Sequence, residues 1–273
     1  MPSRRYSSML SKPDLAFIRS LSKASERKVH NLFVAEGIKL VHDMLGSFAC
    51  ALLIVKPKEY NLLSKRIGEL PLELRPESCE VVSDSFDFSK ISSLKSPQAT
   101  LALFHLPELS VERLYASQEL VMLLDNVQDP GNLGTIIRTA DWFGIGDVVL
   151  SSGCADPFSP KVVQATMGAL CRVHTPRLQG DTRDFLAHYR GLIYGTFLDG
   201  EPIYQMGLST DIPDGQLLVM GNEGNGISPE VKPYISKRIY IPPYSSDGMG
   251  SESLNVAIAT AICLSEFRRG VMK

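Results

Sequence analysis

The sequence lacks the residue patterns on which a zinc site or a disulfide framework depends. Its five cysteines are widely spaced and never form a C-x-x-C pair, and its five histidines show no ligand spacing. An odd number of scattered cysteines is typical of proteins whose thiols stay reduced. We therefore predict that the protein holds no metal and no structural disulfide.

Long apolar runs are also missing. No stretch reaches the roughly 18 apolar residues that a membrane-spanning helix needs. The start MPSRRYSSML lacks the apolar core of a secretory signal peptide. These absences predict a cytoplasmic protein that does not enter a membrane.

The chain has little net charge, −2 in all, so its overall charge gives no sign of a nucleic-acid partner. The charge is unevenly distributed, because residues 1–40 hold eight Lys or Arg side chains against three acidic ones. A basic stretch of this kind is either a solvated helix face or a surface for RNA phosphates. The pattern alone leaves both interpretations open.

Apolar runs of strand length alternate with helix-period segments along the chain, which predicts an α/β fold. We predict a small α/β domain over residues 1–106, a polar linker over 107–118 and a second domain with an open, mostly parallel sheet over 119–273. Strands are expected at LFVAEG (32–37), ALLIVK (51–56), CEVV (79–82), TLALFHL (100–106), ELVMLLD (119–125), GDVVL (146–150), GLIYGTFL (191–198), QLLVM (216–220) and RIYI (238–241).

The stretch GNEGNG (221–226) follows one of these strands and carries the first chemical signal. Three glycines in six residues indicate bare backbone against a ligand, although a turn with positive φ explains one or two of them. A phosphate loop needs Lys-Ser/Thr after its last glycine, where Ile227 and Ser228 stand instead, and the glycine spacing of a dinucleotide site is different. Because Glu223 repels anions, the loop is expected to hold a group that tolerates a nearby negative charge.

A second polar segment, LLDNVQDPGNLGTIIRTADWFG, also follows a strand, at the edge where open parallel sheets bind ligands. Asn132 is placed to cap the helix that follows the DPG turn. Arg138 lies six residues further on, and it is either an ordinary surface arginine or a side chain that reaches the helix mouth.

The third segment, IPPYSSDGMGSESLNVAIATAI, leads into a helix without charge. Capping of that helix is the simplest role for Ser253. Another helix is expected to begin at Ser228-Pro229-Glu230, which has the residue types of a capped helix start.

In this order, NVQDPGNLGTIIRTADWFG, LVMGNEGNGIS and IP…SLNVAIATAI resemble the three motifs of the SpoU (TrmH-type) RNA 2′-O-ribose methyltransferases of the SPOUT superfamily. The resemblance covers residues 119–269, and DPFSPKVVQATMGAL (156–170) is similar to the family's region between motifs one and two. Less specifically, residues 1–105 resemble the L30e-like substrate-binding domain that often precedes this catalytic domain, above all in VAEGIKLVHDML.

The resemblance implies transfer of a methyl group from S-adenosylmethionine to a ribose 2′-hydroxyl of RNA. It also implies a SPOUT-type parallel sheet with a deep C-terminal trefoil knot, and a homodimer formed through the C-terminal domain. Ribosomal RNA is preferred over transfer RNA as substrate, because a separate N-terminal RNA-binding domain is common in the members that act on ribosomal RNA.

Residue roles follow from the same resemblance. The implied catalytic residues are Asn132, Arg138, Glu223, Ser253 and Asn255. The implied cofactor contacts are Thr196, Gly221, Gly226, Ile241 and Leu254. Within the basic N-terminal segment, the predicted RNA contacts are Arg4, Arg5, Arg27 and Lys28.

The sequence departs from the family in two places. PYSSDGMGSE makes the connection before the motif-three triplet longer than usual, and Gln164 and Thr166 stand where an arginine and a serine are expected. A catalytically idle RNA-binding protein of the same fold remains an alternative, against which the joint presence of the motif residues argues. A nucleotide-dependent oxidoreductase or kinase is disfavoured, because no phosphate loop is present.

Overall fold

The computed structural model describes residues 3–5, 10–208, 214–244 and 253–269. Its ten strands, in chain order, are β1 (Ser3–Arg5), β2 (Leu32–Glu36), β3 (Cys50–Val55), β4 (Ser78–Val81), β5 (Thr100–His105), β6 (Leu120–Leu124), β7 (Val148–Leu150), β8 (Leu192–Pro202), β9 (Gln216–Met220) and β10 (Lys237–Tyr240). The α-helices within the same ranges are α1 (Lys12–Ser20), α2 (Ala24–His30), α3 (Ile38–Met44), α4 (Pro57–Glu69), α5 (Pro130–Trp142), α6 (Pro160–Thr166), α7 (Thr182–His188) and α8 (Val256–Arg269).

The chain divides into two compact units. The first contains Met1–Glu108 together with Asp156–Cys171, and the second contains Leu109–Ala155 and Arg172–Lys273. This division differs from the predicted boundaries in two ways. The segment that carries α6 groups with the first unit, and most of the predicted linker groups with the second.

The first unit contains a mixed five-stranded sheet in the order β1-β4-β3-β5-β2. Strands β1, β4 and β3 are parallel neighbours, whereas β5 is antiparallel to both β3 and β2. The side chains of β2 are buried along its whole length, and α6 packs against it. Apolar side chains of α1 pack with the sheet residues Ile54 and Leu101 in one core cluster.

The second unit contains a five-stranded sheet in the order β10-β8-β9-β6-β7, in which every pair is parallel. The predicted parallel sheet is confirmed. The central strands β6 and β9 are buried throughout, as expected for strands covered on both faces. Phe185 of α7 packs in a core cluster with Val121, whereas Phe267 of α8 makes an edge-on ring contact with Tyr194.

The register of this sheet places several loops at one edge. Leu124, the last residue of β6, lies opposite Leu150 of β7 and Met220 of β9. The residues that follow these strands therefore emerge side by side at the carboxyl edge. This is where open parallel sheets bind their ligands.

Three local expectations differ from the structure. The helix expected at Ser228 is absent, and a single 3-10 turn at Lys232–Tyr234 stands there. The helix α7 was not predicted; Asp181 caps its first turn by accepting a hydrogen bond from the backbone N–H of Arg183. In the predicted linker, Leu114 is fully buried in the core of the second unit, which explains why this segment belongs to that unit.

The prediction that Arg27 contacts RNA is corrected by its position. Arg27 is only 2% exposed, and its guanidinium pairs with Asp156 at 2.5 Å while donating to the backbone carbonyls of Leu21 and Ser22 at 2.8 Å. Because its donors are engaged inside the first unit, Arg27 is a structural residue that fastens the segment 156–171 to that unit.

The other predicted RNA contacts differ in how much of them the structure describes. Lys28 is exposed, as a phosphate contact requires. The backbone of Arg4 and Arg5 forms β1, but their side chains lie outside the described part of the structure.

We expect Arg27→Ala to lower the free energy of unfolding by about 2–4 kcal/mol, because it leaves Asp156 and two carbonyls without their donor. The exposed neighbour Lys28 provides the control, and Lys28→Ala should change stability by less than about 0.5 kcal/mol. Calorimetric unfolding of both variants tests this. Equal melting temperatures for Arg27→Ala and the unsubstituted protein would contradict a structural role for Arg27.

Candidate functional site

The three polar segments predicted to carry chemistry meet through two side-chain hydrogen bonds. The amide nitrogen of Asn132 donates to the Glu223 carboxylate at 2.5 Å, and the amide nitrogen of Asn255 donates to the Asn132 side-chain oxygen at 2.9 Å. In sequence, Asn132 is 91 positions from Glu223 and 123 positions from Asn255. We call this group, Glu223, Asn132 and Asn255, the motif triad.

The chemistry of the triad fixes its orientation. A carboxylate only accepts hydrogen bonds, so Asn132 must turn its nitrogen toward Glu223 and its oxygen toward Asn255. Glu223 and Asn255 are exposed and Asn132 is half-buried. The triad is therefore an ordered acceptor at the surface, open to a ligand with donor groups or positive charge.

The two helices behind the triad are capped differently from the prediction. Asp129, not Asn132, caps α5 by accepting a hydrogen bond from the Asn132 N–H at 2.8 Å. Asn255, not Ser253, caps α8 by accepting from the N–H groups of Ala257 at 3.0 Å and Ile258 at 3.3 Å. Because the cap of α5 comes from Asp129, the Asn132 side chain is free to bridge the other two motifs. Ser253 is exposed beside this group.

The glycine loop, residues 221–226, is a tight turn closed on itself. The backbone of Asn222 exchanges two hydrogen bonds with that of Gly226, at 3.0 and 2.9 Å. A Cβ at Gly221 would lie 2.3 Å from the Gly226 carbonyl carbon and 2.4 Å from the Ile227 nitrogen. No side chain fits at Gly221, and Gly226 needs its freedom because its φ is +66°.

The outer side of the loop is bare backbone. A Cβ at Gly226 would meet no atom within 4 Å, and one at Gly224 would meet only the Asn222 side chain at 3.5 Å. The loop therefore leaves room for a ligand close to its backbone at Gly224 and Gly226, with the Glu223 carboxylate beside it.

The remaining predicted cofactor contacts are Thr196 and Ile241, on or directly after strands of the second sheet, and Leu254, which precedes α8. The pairing of β8 with β9 ends at Gly195, so Thr196 follows the last paired residue although β8 itself continues further than expected. Ile241 follows the last residue of β10 and is half-buried, whereas Leu254, directly before Asn255, is exposed. Residues 245–252, most of the long connection before motif three, lie outside the described residues.

Arg138 is separate from the triad. It is exposed on α5, and within the described ranges it has no ion pair or side-chain hydrogen bond. In the described chain, the hydrogen-bond partner of the Glu223 carboxylate is Asn132 and not Arg138. Six residues on a helix correspond to about 9 Å along its axis, and Arg138 points about 120° away from Asn132.

Sequence reasoning missed the residues behind the glycine loop. Asp125 and Asn126 directly follow β6, and Asn126 accepts a hydrogen bond from the Asn222 side chain through its backbone carbonyl at 2.8 Å. A polar cavity of about 430 Å³ adjoins Asp125, Asn126 and Ser151. The signal that could have found these residues is the pair of polar side chains immediately after a fully buried strand.

Metal-binding groups and thiols are two further chemical features of the described residues. Within the described ranges, no group of three or more His, Cys, Asp or Glu side chains is arranged to hold a metal ion. Burial raises the pKa of the nearby Cys154 thiol above its ordinary value, so this cysteine is mostly protonated near neutral pH and is a poor nucleophile.

None of the described helices has the length and hydropathy needed to cross a bilayer.

Comparison with known families agrees with this geometry. Residues 119–265, which include all three motifs, match the model of the SpoU rRNA Methylase family. The chain belongs to this family. Residues 12–102 match the MRM3-like substrate binding domain, which fits the separate first unit.

Relatives of similar length support the assignment to the SpoU family. The chain is 34% identical to the 23S rRNA (guanosine(2553)-2′-O)-methyltransferase RlmP of Bacillus subtilis over 92% of this chain and 94% of that protein. An AdoMet-bound rRNA methyltransferase from Sinorhizobium meliloti superposes with a TM-score of 0.82 at 30% identity, over 98% of this chain and 99% of that one. A TrmH-family protein from Porphyromonas gingivalis also gives a TM-score of 0.82, at 45% identity over 96% and 99% of the two chains.

Proposed function

We propose that this protein transfers the methyl group of S-adenosylmethionine to a ribose 2′-hydroxyl of ribosomal RNA, and that it does so in the cytoplasm. The observation that carries the proposal is the motif triad, which joins the three SpoU motifs at the carboxyl edge of the parallel sheet. The rRNA named in RlmP and the cofactor bound in the Sinorhizobium protein support the substrate and the cofactor.

The loop chemistry fits this cofactor. Its outer face leaves room for an adenosine against the backbone, and Leu254 presents an exposed apolar side chain directly before Asn255 of the triad. The loop itself carries the Glu223 carboxylate, which suits a sulfonium cation and disfavours a phosphate. We propose that the cofactor is bound by Thr196, Gly221, Gly226, Ile241 and Leu254.

When bound, S-adenosylmethionine supplies a methyl group on positively charged sulfur, which departs as a neutral thioether. The ribose oxygen forms its new bond to the methyl carbon as the carbon–sulfur bond breaks, and the hydroxyl proton is released. A ribose hydroxyl is a very weak acid, so the protein must stabilise the developing negative charge or accept the proton. Much of the acceleration comes from holding the two reactants in line.

Asn132, Asn255 and Ser253 supply neutral donors and acceptors that orient the ribose. Arg138 stabilises the oxyanion and the neighbouring phosphate, because a guanidinium stays protonated and presents a fork of donors to anions. No hydrogen bond or ion pair joins Arg138 to the triad within the described chain, and we infer that a second protein chain brings the two together. We assign that role to a homodimer, in which Arg138 of one protomer faces the triad of the other.

An exposed apolar surface beside Arg138 supports this dimer. Trp142, one helical turn further along α5, is 85% exposed, and Ile258 on the adjacent helix α8 is 53% exposed. Large apolar side chains exposed together mark association surfaces. We further propose the trefoil knot of the SPOUT fold in the second unit, and an L30e-like RNA-binding role for the first.

Trp142→Glu is expected to convert the dimer to a monomer, because a carboxylate would be buried without a partner at the interface. Light scattering coupled to size exclusion measures the mass directly. Val29→Glu is the matched control, since Val29 is 76% exposed in the first unit. A monomeric unsubstituted protein, or a dimer that survives Trp142→Glu, would contradict this interface.

The proposed activity is tested with radiolabelled S-adenosylmethionine and RNA from cells that lack the protein. Label in ribosomal RNA, recovered as a 2′-O-methyl nucleoside by mass spectrometry and lost in Glu223→Gln, supports the proposal. Label in transfer RNA would revise the substrate. RNA binding without cofactor binding or label would favour the catalytically idle alternative.

A further inference from the structure

The carboxylate of Asp125 lies at the base of the glycine loop and is only 2% exposed. One of its oxygens accepts the backbone N–H of Ser228 at 2.7 Å, and the other accepts the side-chain nitrogen of Asn126 at 3.0 Å. No Lys, Arg or His of the described chain forms an ion pair with it. A buried carboxylate without a cation is costly, so its two hydrogen bonds must hold it in place.

Asn126 extends this arrangement to the start of the loop. Its backbone is left-handed, with φ +58°, and its N–H donates to the Ser151 hydroxyl at 2.9 Å. Its carbonyl accepts from the Asn222 side chain at 2.8 Å. The Asn222 side-chain oxygen in turn accepts the N–H groups of Gly224 at 2.9 Å and Asn225 at 3.2 Å.

Asp125 thereby holds both ends of the glycine loop. Ser228 is bound directly, just after the loop, and Asn222 is bound through Asn126, just after Gly221. Glu223 lies between these two anchors, and its 2.5 Å contact with Asn132 depends on where the loop sits. Asn132 is itself seven residues downstream of Asp125, so the same strand end fixes both partners of that contact.

We propose that Asp125 is a positioning residue for methyl transfer, which acts through Ser228 and Asn126 to set the distance between Glu223 and Asn132. The proposal rests on the proposed function. Substitution of Asp125 is expected to shift the glycine loop, and misplacement of reacting groups by about 1 Å costs about 100-fold in rate. Asp125 touches neither substrate nor cofactor in this scheme.

The test is a double-mutant cycle with Asp125→Asn and Glu223→Gln, both of which preserve side-chain size. Asparagine offers one acceptor oxygen where aspartate offers two, so it cannot serve both donors equally. We expect kcat to fall about 10- to 100-fold in Asp125→Asn and about 100-fold in Glu223→Gln. The double variant should match Glu223→Gln within about 3-fold, because Asp125 acts through Glu223. A double loss equal to the product of the single losses would overturn the proposal.

A measurement that does not depend on catalysis distinguishes failure of this proposal from failure of the proposed function. In the cofactor-free protein, hydrogen exchange at the amides of residues 222–228 should speed up in Asp125→Asn and stay unchanged in Glu223→Gln. Ile203→Ala controls for general loss of stability, because Ile203 is buried in the 3-10 turn after β8 in the same unit and is not in the core cluster that contains Ile227. Faster loop exchange in Ile203→Ala, or unchanged loop exchange in Asp125→Asn, rejects the positioning role. An unsubstituted protein without methyl transfer rejects the function and leaves the exchange result interpretable.

Discussion

Arg138→Ala is expected to reduce kcat by about 10²- to 10³-fold while leaving the protein folded and able to bind S-adenosylmethionine. Loss of one donor to a developing oxyanion has an effect of this size. Because the side chain is exposed and has no partner in the described chain, its removal should change stability by less than about 0.5 kcal/mol. Single-turnover methyl transfer, melting temperature and cofactor titration measure the three quantities separately.

Two further variants test whether the loss of kcat is specific to Arg138 and whether it depends on the charge of the side chain. Arg190 is also exposed in the second unit and is not part of any motif, so Arg190→Ala should keep full activity. Arg138→Lys keeps the charge but loses the planar fork of donors, and partial recovery of kcat is expected if the group acts electrostatically. Full activity in Arg138→Ala, or an equal loss in Arg190→Ala, would remove Arg138 from the proposed chemistry.

Gly221→Ala is expected to weaken binding of S-adenosylmethionine by about 10- to 100-fold. The new methyl group would lie 2.3 Å from the backbone carbon of Gly226, so the loop must open to accept it. Overpacking of this kind costs about 1–3 kcal/mol, and 1.4 kcal/mol corresponds to a tenfold change in affinity. Isothermal titration of the purified protein gives the dissociation constant.

The same loop offers a matched control. An alanine at Gly224 would make only an ordinary contact, 3.5 Å from the Asn222 side chain. Gly224→Ala should therefore bind the cofactor within about 3-fold of the unsubstituted protein unless the ligand lies directly on Gly224. Unchanged affinity in Gly221→Ala would place the cofactor away from the glycine loop.

Much of the second unit could be predicted from the sequence, because its signals are local. The strands β6 and β9 are continuous apolar runs, LVMLL and QLLVM, and such runs are typical of the buried middle of a parallel sheet. Each is followed at once by polar or glycine-rich residues, which predicted the position of the site. Resemblance to the SpoU motifs then identified Glu223, Asn132 and Asn255, which the structure joins.

The sequence-based predictions were wrong where one local residue pattern is compatible with more than one structural role. Asn132 has the residue type of a helix cap, but Asp129 takes that role and leaves the Asn132 side chain for Glu223. Arg27 belongs to a basic stretch, yet its guanidinium is buried against Asp156. Composition describes a charge and does not tell whether that charge faces water.

The sequence by itself determined most of the strands, the parallel sheet of the second unit and the family, since hydrophobic periodicity and motif content are properties of neighbouring residues. Only the tertiary structure decided which polar groups pair. Asp156 lies 129 residues from Arg27, and Ser228 lies 103 residues from Asp125. Such pairs form because folding buries polar groups, and buried polar groups need hydrogen-bond partners. These partners lie far apart in sequence, so sequence spacing does not predict them.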